Sequence, residues 1–142
     1  MILTIQGAIA ATLAFLLGGA AAAPSFSARR TDWWPAAALD DLSDQEPTPV
    51  PIRVTRDDGY SRTAERQVVF LVKTGPAEVA ALSSTCTHLG CRVSWDPKAQ
   101  LLKCPCHGGV FDRTGAVKAG PPPAPLARLN TRLEGQQVFV QL

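Results

Sequence analysis

All four cysteines and both histidines of this chain lie in two short stretches, CTHLGC at 86–91 and CPCHGG at 104–109. Nothing else in the sequence limits the fold as much, because one framework must present six soft ligands on two loops. The segments around them read as short strands. Twelve prolines and eleven glycines among 142 residues suit strands joined by many turns better than a helical bundle.

From Val50 the pattern is β. PIRVTR (51–56) alternates and ends at the turn signal Asp58-Gly59, and QVVFLVK (67–73) reads as a strand buried on both faces. EVAALS (78–83) leads into the first ligand loop. RVSW (92–95) and QLLKC (100–104) flank Asp96-Pro97-Lys98, and GVF and AVK flank Asp112 to Gly115. LARLNTRL, a turn at Glu134-Gly135 and QQVFVQL close the chain. No long amphipathic helix and no internal repeat is present. The expectation is an all-β head of antiparallel strands, residues 33–142, with a ligand-binding part at about 83–124.

Ahead of the head, Ile2 to Ala23 form an uncharged run that as a helix would span roughly 33 Å, about the apolar thickness of a bilayer. Residues 1–23 are expected to be a retained single-pass transmembrane anchor rather than a cleaved signal. Residues 24–32 then read as a flexible tether. Trp33 and Trp34 are expected to pack under the head rather than at the membrane interface. The net charge is only +2 and the arginines are scattered. Without a basic stripe interleaved with aromatics, nucleic acid is excluded as a partner.

The residues alone admit four uses of the soft ligands. Two disulfides would consume the cysteines and leave both histidines idle. Zinc could take Cys86, His88, Cys104 and His107. A four-cysteine iron–sulfur cluster would need spacings that fit neither standard ferredoxin run. A mixed 2Fe–2S centre would use one thiolate and one imidazole from each loop, leaving Cys91 and Cys106 over.

The two motifs resemble the signature of the Rieske iron–sulfur proteins of cytochrome bc-type quinol oxidases, and GPPP at 120–123 is similar to that family's proline loop. The likeness extends over an N-terminal anchor, a tether and an all-β head. It implies a Rieske fold, an antiparallel β-sandwich or barrel with an inserted cluster-binding subdomain, holding one 2Fe–2S cluster. Cys86 and Cys104 would hold one iron and His88 and His107 the other, with Cys91 and Cys106 disulfide-bonded. Such a bond is worth about 3 kcal/mol in the chain-entropy account. Gly90, Gly108 and Gly109 would bring the backbone close and aim N–H groups at sulfur. Pro121 and Pro122 would cover the cluster, with Phe111 beside it.

The resemblance further implies a subunit that takes one electron and one proton from a quinol, the proton going to a ligand histidine. His107 is the expected site, with His88 the other candidate. An imidazole bound to Fe(III) has its free N–H acidified, and reduction restores its basicity. Partners would be cytochrome b and a c-type cytochrome. High-potential members of the family carry Ser and Tyr where this chain has Gly109 and Phe111. Losing those hydroxyls lowers the potential, toward the lower half of the range of about −150 to +300 mV. That suits menaquinol better than ubiquinol.

Two other readings stand beside this one. The small Rieske subunit of a periplasmic molybdenum oxidase, similar to that of arsenite oxidase, shares the fold and the cluster. A Rieske ferredoxin fits less well, because cytosolic relatives generally lack the second cysteine of each loop. Arg29 and Arg30 taken alone would place the head in the cytoplasm. A persistent disulfide requires an oxidising space, so the head is expected on the outer, periplasmic side.

Overall fold

The computed structural model describes residues 32–57 and 59–142. The expected anchor (1–23), the tether apart from Asp32, and Asp58 of the turn signal lie outside the described residues. Among the described residues no helix is long and apolar enough to cross a membrane. Apart from one short 3-10 turn at Leu39–Asp41, every regular element among the described residues is a strand.

Among the described residues eleven strands form three antiparallel sheets: β1 Trp33–Ala38, β2 Thr48–Asp57, β3 Arg62–Gly75, β4 Glu78–Ser83, β5 Ser94–Asp96, β6 Leu101–Cys104, β7 Gly109–Phe111, β8 Val117–Ala119, β9 Arg128–Leu129, β10 Thr131–Glu134 and β11 Gln137–Gln141. Their orders are β1-β11-β10, β2-β3-β4-β9 and β5-β6-β7-β8. β4 pairs with β9 through Ala81↔Leu129 and Leu82↔Arg128. Residues 84–127, which carry both ligand loops, are therefore inserted between two neighbouring strands of one sheet.

β3 explains how one sheet serves two cores. Val69 and Leu71 face the first cluster of buried side chains, with Val50, Ile52 and Val54 of β2 and Val138 and Val140 of β11. Phe70 and Val72 face the second, with Leu82, Val93, Leu102, Phe111, Leu126 and the thiols of Cys86 and Cys104. Successive side chains of a strand point to opposite faces, so a strand shared by two cores must be apolar at every position. VVFLV meets that requirement. Burying both faces also packs the inserted sheet against the sheet that carries β3.

Local readings at β1 and β5 differ from the structure. WWPAAA carries no strand signal, yet it forms β1 by pairing with β11, Trp33↔Gln141 to Ala38↔Gln137, with a bulge between Pro35 and Ala37. Pro35 is tolerated because β1 is an edge strand. Trp34 packs against the first core, and Arg132 lies over the Trp33 ring at 4.7 Å. The strand expected at RVSW begins only at Ser94, because Arg92 makes an isolated bridge to Thr85 at the neck of the first ligand loop.

The turn between β7 and β8 is built on Asp112. Its Oδ1 accepts hydrogen bonds from Thr114 N–H (2.9 Å), Thr114 Oγ1 (2.7 Å) and Ala116 N–H (3.1 Å). Burial works against the charge, but these hydrogen bonds and Lys118 outweigh it and hold the carboxyl below its usual range. A depressed folded-state pKa gives stability that is present above the unfolded value near 3.8 and is lost as pH falls through the folded one. Asp112→Ala is expected to cost about 1 kcal/mol at pH 7. It should also flatten the acid limb of stability against pH, as read by urea midpoints between pH 7 and pH 3.

Candidate metal centre

Both ligand loops are the closed ends of hairpins. In the first, Cys86 N–H donates to Cys91 O at 2.8 Å and Gly90 N–H donates to Cys86 O at 2.9 Å. Val93 N–H to Ser84 O, at 2.7 Å, seals the neck. In the second, Cys104 at the end of β6 pairs with Gly109 at the start of β7. Each six-residue motif thus begins and ends at a paired position.

The structure bonds Cys91 to Cys106, with Cα atoms 6.5 Å apart, so the loops are tied covalently. The sulfurs of Cys91, Cys104 and Cys106 lie within 4.8 Å of one another. Two of the three belong to the disulfide, so the group is not a three-thiolate site. The free thiols are Cys86 and Cys104, both buried and close enough to interact electrostatically. The rings of His88 and His107 meet edge to face with centroids 4.8 Å apart. His88 is half-buried and His107 exposed, which places one pair of candidate ligands inside and the other toward solvent.

Burial pushes the Cys86 thiol up. Backbone N–H groups of His88 and Leu89 directed at its sulfur pull it down, and the adjacent Cys104 pushes it up again. A metal taking this thiol must displace its proton, so loading releases protons. Gly90 N–H, expected to point at sulfur, donates instead to the carbonyl of Cys86. The glycines also differ in what requires them. Gly108 has φ +69° with open space where a Cβ would stand, so its conformation calls for glycine. At Gly109 the space does.

His88 Nδ1 offers a direct test of fit. It is buried and has no hydrogen-bond partner, a costly arrangement for a polar nitrogen. Coordination would satisfy it. Two buried free thiols, an orphaned imidazole nitrogen and a second imidazole whose ring meets the first make up a donor set of the kinds a mixed-ligand 2Fe–2S cluster takes.

A third side is closed by residues 120–124. Pro122 is buried against Gly109, while Pro121 is exposed. Thr87 Oγ1 donates to Ala124 O at 2.6 Å, tying this segment to the first loop. Sequence reading missed Thr87 and also Leu89, a large apolar side chain 68% exposed beside His88. Both sit inside the motif, but neither is a ligand type. Thr87→Val is expected to cost about 1 kcal/mol and to speed cluster loss to a chelator. Unchanged release would show that the hydroxyl does not hold the proline segment.

A profile of the Rieske [2Fe-2S] domain family matches residues 32–131. The cytochrome b6-f complex iron-sulfur subunit of Parasynechococcus marenigrum (strain WH8102) is 42% identical over 73 residues, 50% of this chain and 41% of that protein. The corresponding subunit of Chlorobaculum tepidum is 38% identical over 74 residues, 52% of this chain and 40% of that protein. The chain thus spans about two fifths of the length of these curated relatives. Among solved structures, the cyanobacterial plasma membrane Rieske protein PetC3 from Synechocystis PCC 6803 is similar with a TM-score of 0.54 at 27% identity. That match covers 76% of this chain and 98% of the other.

Proposed function

The chain belongs to the Rieske [2Fe-2S] family, and from that membership we propose that it is the iron–sulfur subunit of a quinol–cytochrome c reductase. It takes one electron from a quinol, with one proton at a ligand histidine, and passes the electron to a c-type cytochrome. The observation that carries the reading is the division of the donor set. The sulfur pair is buried and the imidazole pair leads to the surface, beside the exposed Leu89.

The bound cluster supplies a one-electron site. Cys86 and Cys104 would hold it from the buried side, and His88 and His107 from the side toward solvent. His107, the exposed ring, would hydrogen-bond the quinol hydroxyl and accept its proton on a ring nitrogen left free by ligation. Leu89 offers an apolar contact to the quinol pocket of cytochrome b, without which catalysis is incomplete. The disulfide requires an oxidising space, so the head faces the outer side of the membrane. In this reading residues 1–23 are the membrane anchor and 24–32 the link between anchor and head.

Neither Gly109 nor Phe111 offers a hydroxyl to the cluster sulfurs, which favours a low midpoint potential and menaquinol as the substrate. Phe111→Tyr is expected to raise the midpoint, read by potentiometric EPR titration. An unmoved midpoint would show that a hydroxyl at this position does not reach sulfur. The function itself is tested by purifying the chain from its membranes. Copurifying b- and c-type haems with quinol–cytochrome c reductase activity are expected, and a molybdopterin subunit in their place would contradict the assignment.

A further inference from the structure

The proline segment sits closer to the second ligand loop than a side chain at its seat would permit. A Cβ on Gly109 would stand 2.7 Å from Cγ of Pro122 and 3.2 Å from its Cδ, with Cys104 Cβ at 3.4 Å on another side. A Cβ on Gly120, where φ is +87°, would stand 2.5 Å from the carbonyl oxygen of Gly108 and 2.9 Å from Cα of Gly109. Gly109 is not among the residues with positive φ, so space and not backbone conformation calls for glycine there. Pro122 cannot yield as a long side chain would. Its ring is rigid, it is buried between Pro121 and Pro123, and the segment is fastened beyond it by Thr87 at Ala124.

We propose that Gly109 is a positioning residue for the cluster: by carrying no side chain it lets Pro122 close over the Cys104 side of the site, which lowers the midpoint potential independently of the missing hydroxyl. The inference rests on the 2Fe–2S reading. Reduction adds one negative charge, and a site shut off from water stabilises that charge less than a wetter one. A tighter cover therefore disfavours the reduced form. Two accounts of position 109 then separate. If the absent hydroxyl were the whole effect, alanine would behave as glycine and only serine would raise the potential. If closure matters, alanine raises it too, because the Cβ alone displaces the ring.

The test uses the full-length chain with its cluster. Gly109→Ala is expected to raise the midpoint, and to speed amide hydrogen exchange at Gly120 and Ala124 about ten-fold, in keeping with the usual cost of overpacking. Pro122→Ala removes the ring from the contact and supplies a second variant. Alone it should raise the midpoint and speed exchange, and on its background Gly109→Ala should change neither further. An alanine at 109 that leaves midpoint and exchange at wild-type values would overturn the proposal, as would additive effects of the two substitutions. If the wild-type chain itself gave no Rieske-type EPR signal, the cluster reading would fall and the proposal with it. A normal wild-type signal with an inert Gly109→Ala variant would sink the proposal alone.

Discussion

Cys104→Ser is expected to yield a folded chain with less than about a tenth of the wild-type iron and acid-labile sulfide, a larger chemical effect than any substitution outside the ligand set should produce. Cys104 ends β6, is 3% exposed, and is held in register by its pairing with Gly109. Its sulfur lies beside Cys86 on the inner side of the site. A serine hydroxyl does not ionise at neutral pH and is a poor substitute for a thiolate toward iron. The disulfide, the proline segment and most of the second core are untouched, so the loss is one of ligation and not of fold. Far-ultraviolet circular dichroism at the wild-type value, alongside a bleached visible spectrum, is the result that supports ligation by Cys104. An intact chromophore would show that the thiolates are drawn from elsewhere.

The paired substitution Cys91→Ser and Cys106→Ser is expected to act in the opposite way, sparing ligation while weakening the frame. The two residues are 15 positions apart in sequence, and in the chain-entropy account the cross-link is worth about 3 kcal/mol. It also joins two hairpin ends that are linked as well by the edge-on imidazoles, by the Thr87–Ala124 hydrogen bond through the proline segment, and by the burial of Cys86 and Cys104 in one core. The double variant should still assemble a cluster with an unchanged ligand set, but release it to a chelator at least ten-fold faster. Its denaturant midpoint should also fall by an amount consistent with a few kcal/mol. Equal midpoints and equal release rates would mean that the loops are held by packing in the second core alone.

Both expectations turn on features the sequence carried openly. Cysteine and histidine are too few in this chain to be packing filler, and their chemistry is specific, so six of them at two sites limited the candidate centres sharply. The apolar run of β3 was equally legible, because a strand shared by two cores has no polar face to blur it. β1 was not. Trp33–Ala38 has a proline and three alanines, and its strand character comes from pairing with residues about a hundred positions away. A local pattern does not record such a partner. The three-residue strands of the inserted sheet are legible, but with shifted bounds at β5, where a bridge at Arg92 replaces the ladder, and by one residue at β8. The contact between Gly109 and Pro122 was illegible for a related reason. A glycine next to a turn reads as a turn residue until its neighbour across space is known.

The orphaned nitrogen of His88 was hidden from sequence too, since burial of a single ring atom depends on how the loops close. It links the motif to chemistry more directly than the motif does. An imidazole buried without a partner is costly unless a metal supplies what hydrogen bonding does not. That position also shows why the sulfur and nitrogen ligands must differ in exposure. Hairpin ends held by a disulfide bury their first residues against β3 and β4 and leave the following ones at the rim.

The central claim is that two thiolates and two imidazoles of this chain share one binuclear iron–sulfur centre. The most direct measurement is EPR of the dithionite-reduced protein, with nitrogen hyperfine couplings recorded on wild type and on His88 and His107 variants. Two iron atoms and two sulfides per chain, a rhombic signal of low average g, and couplings from two bound imidazole nitrogens are expected. A signal without nitrogen coupling, or a chain with no acid-labile sulfide, would contradict the assignment of these residues.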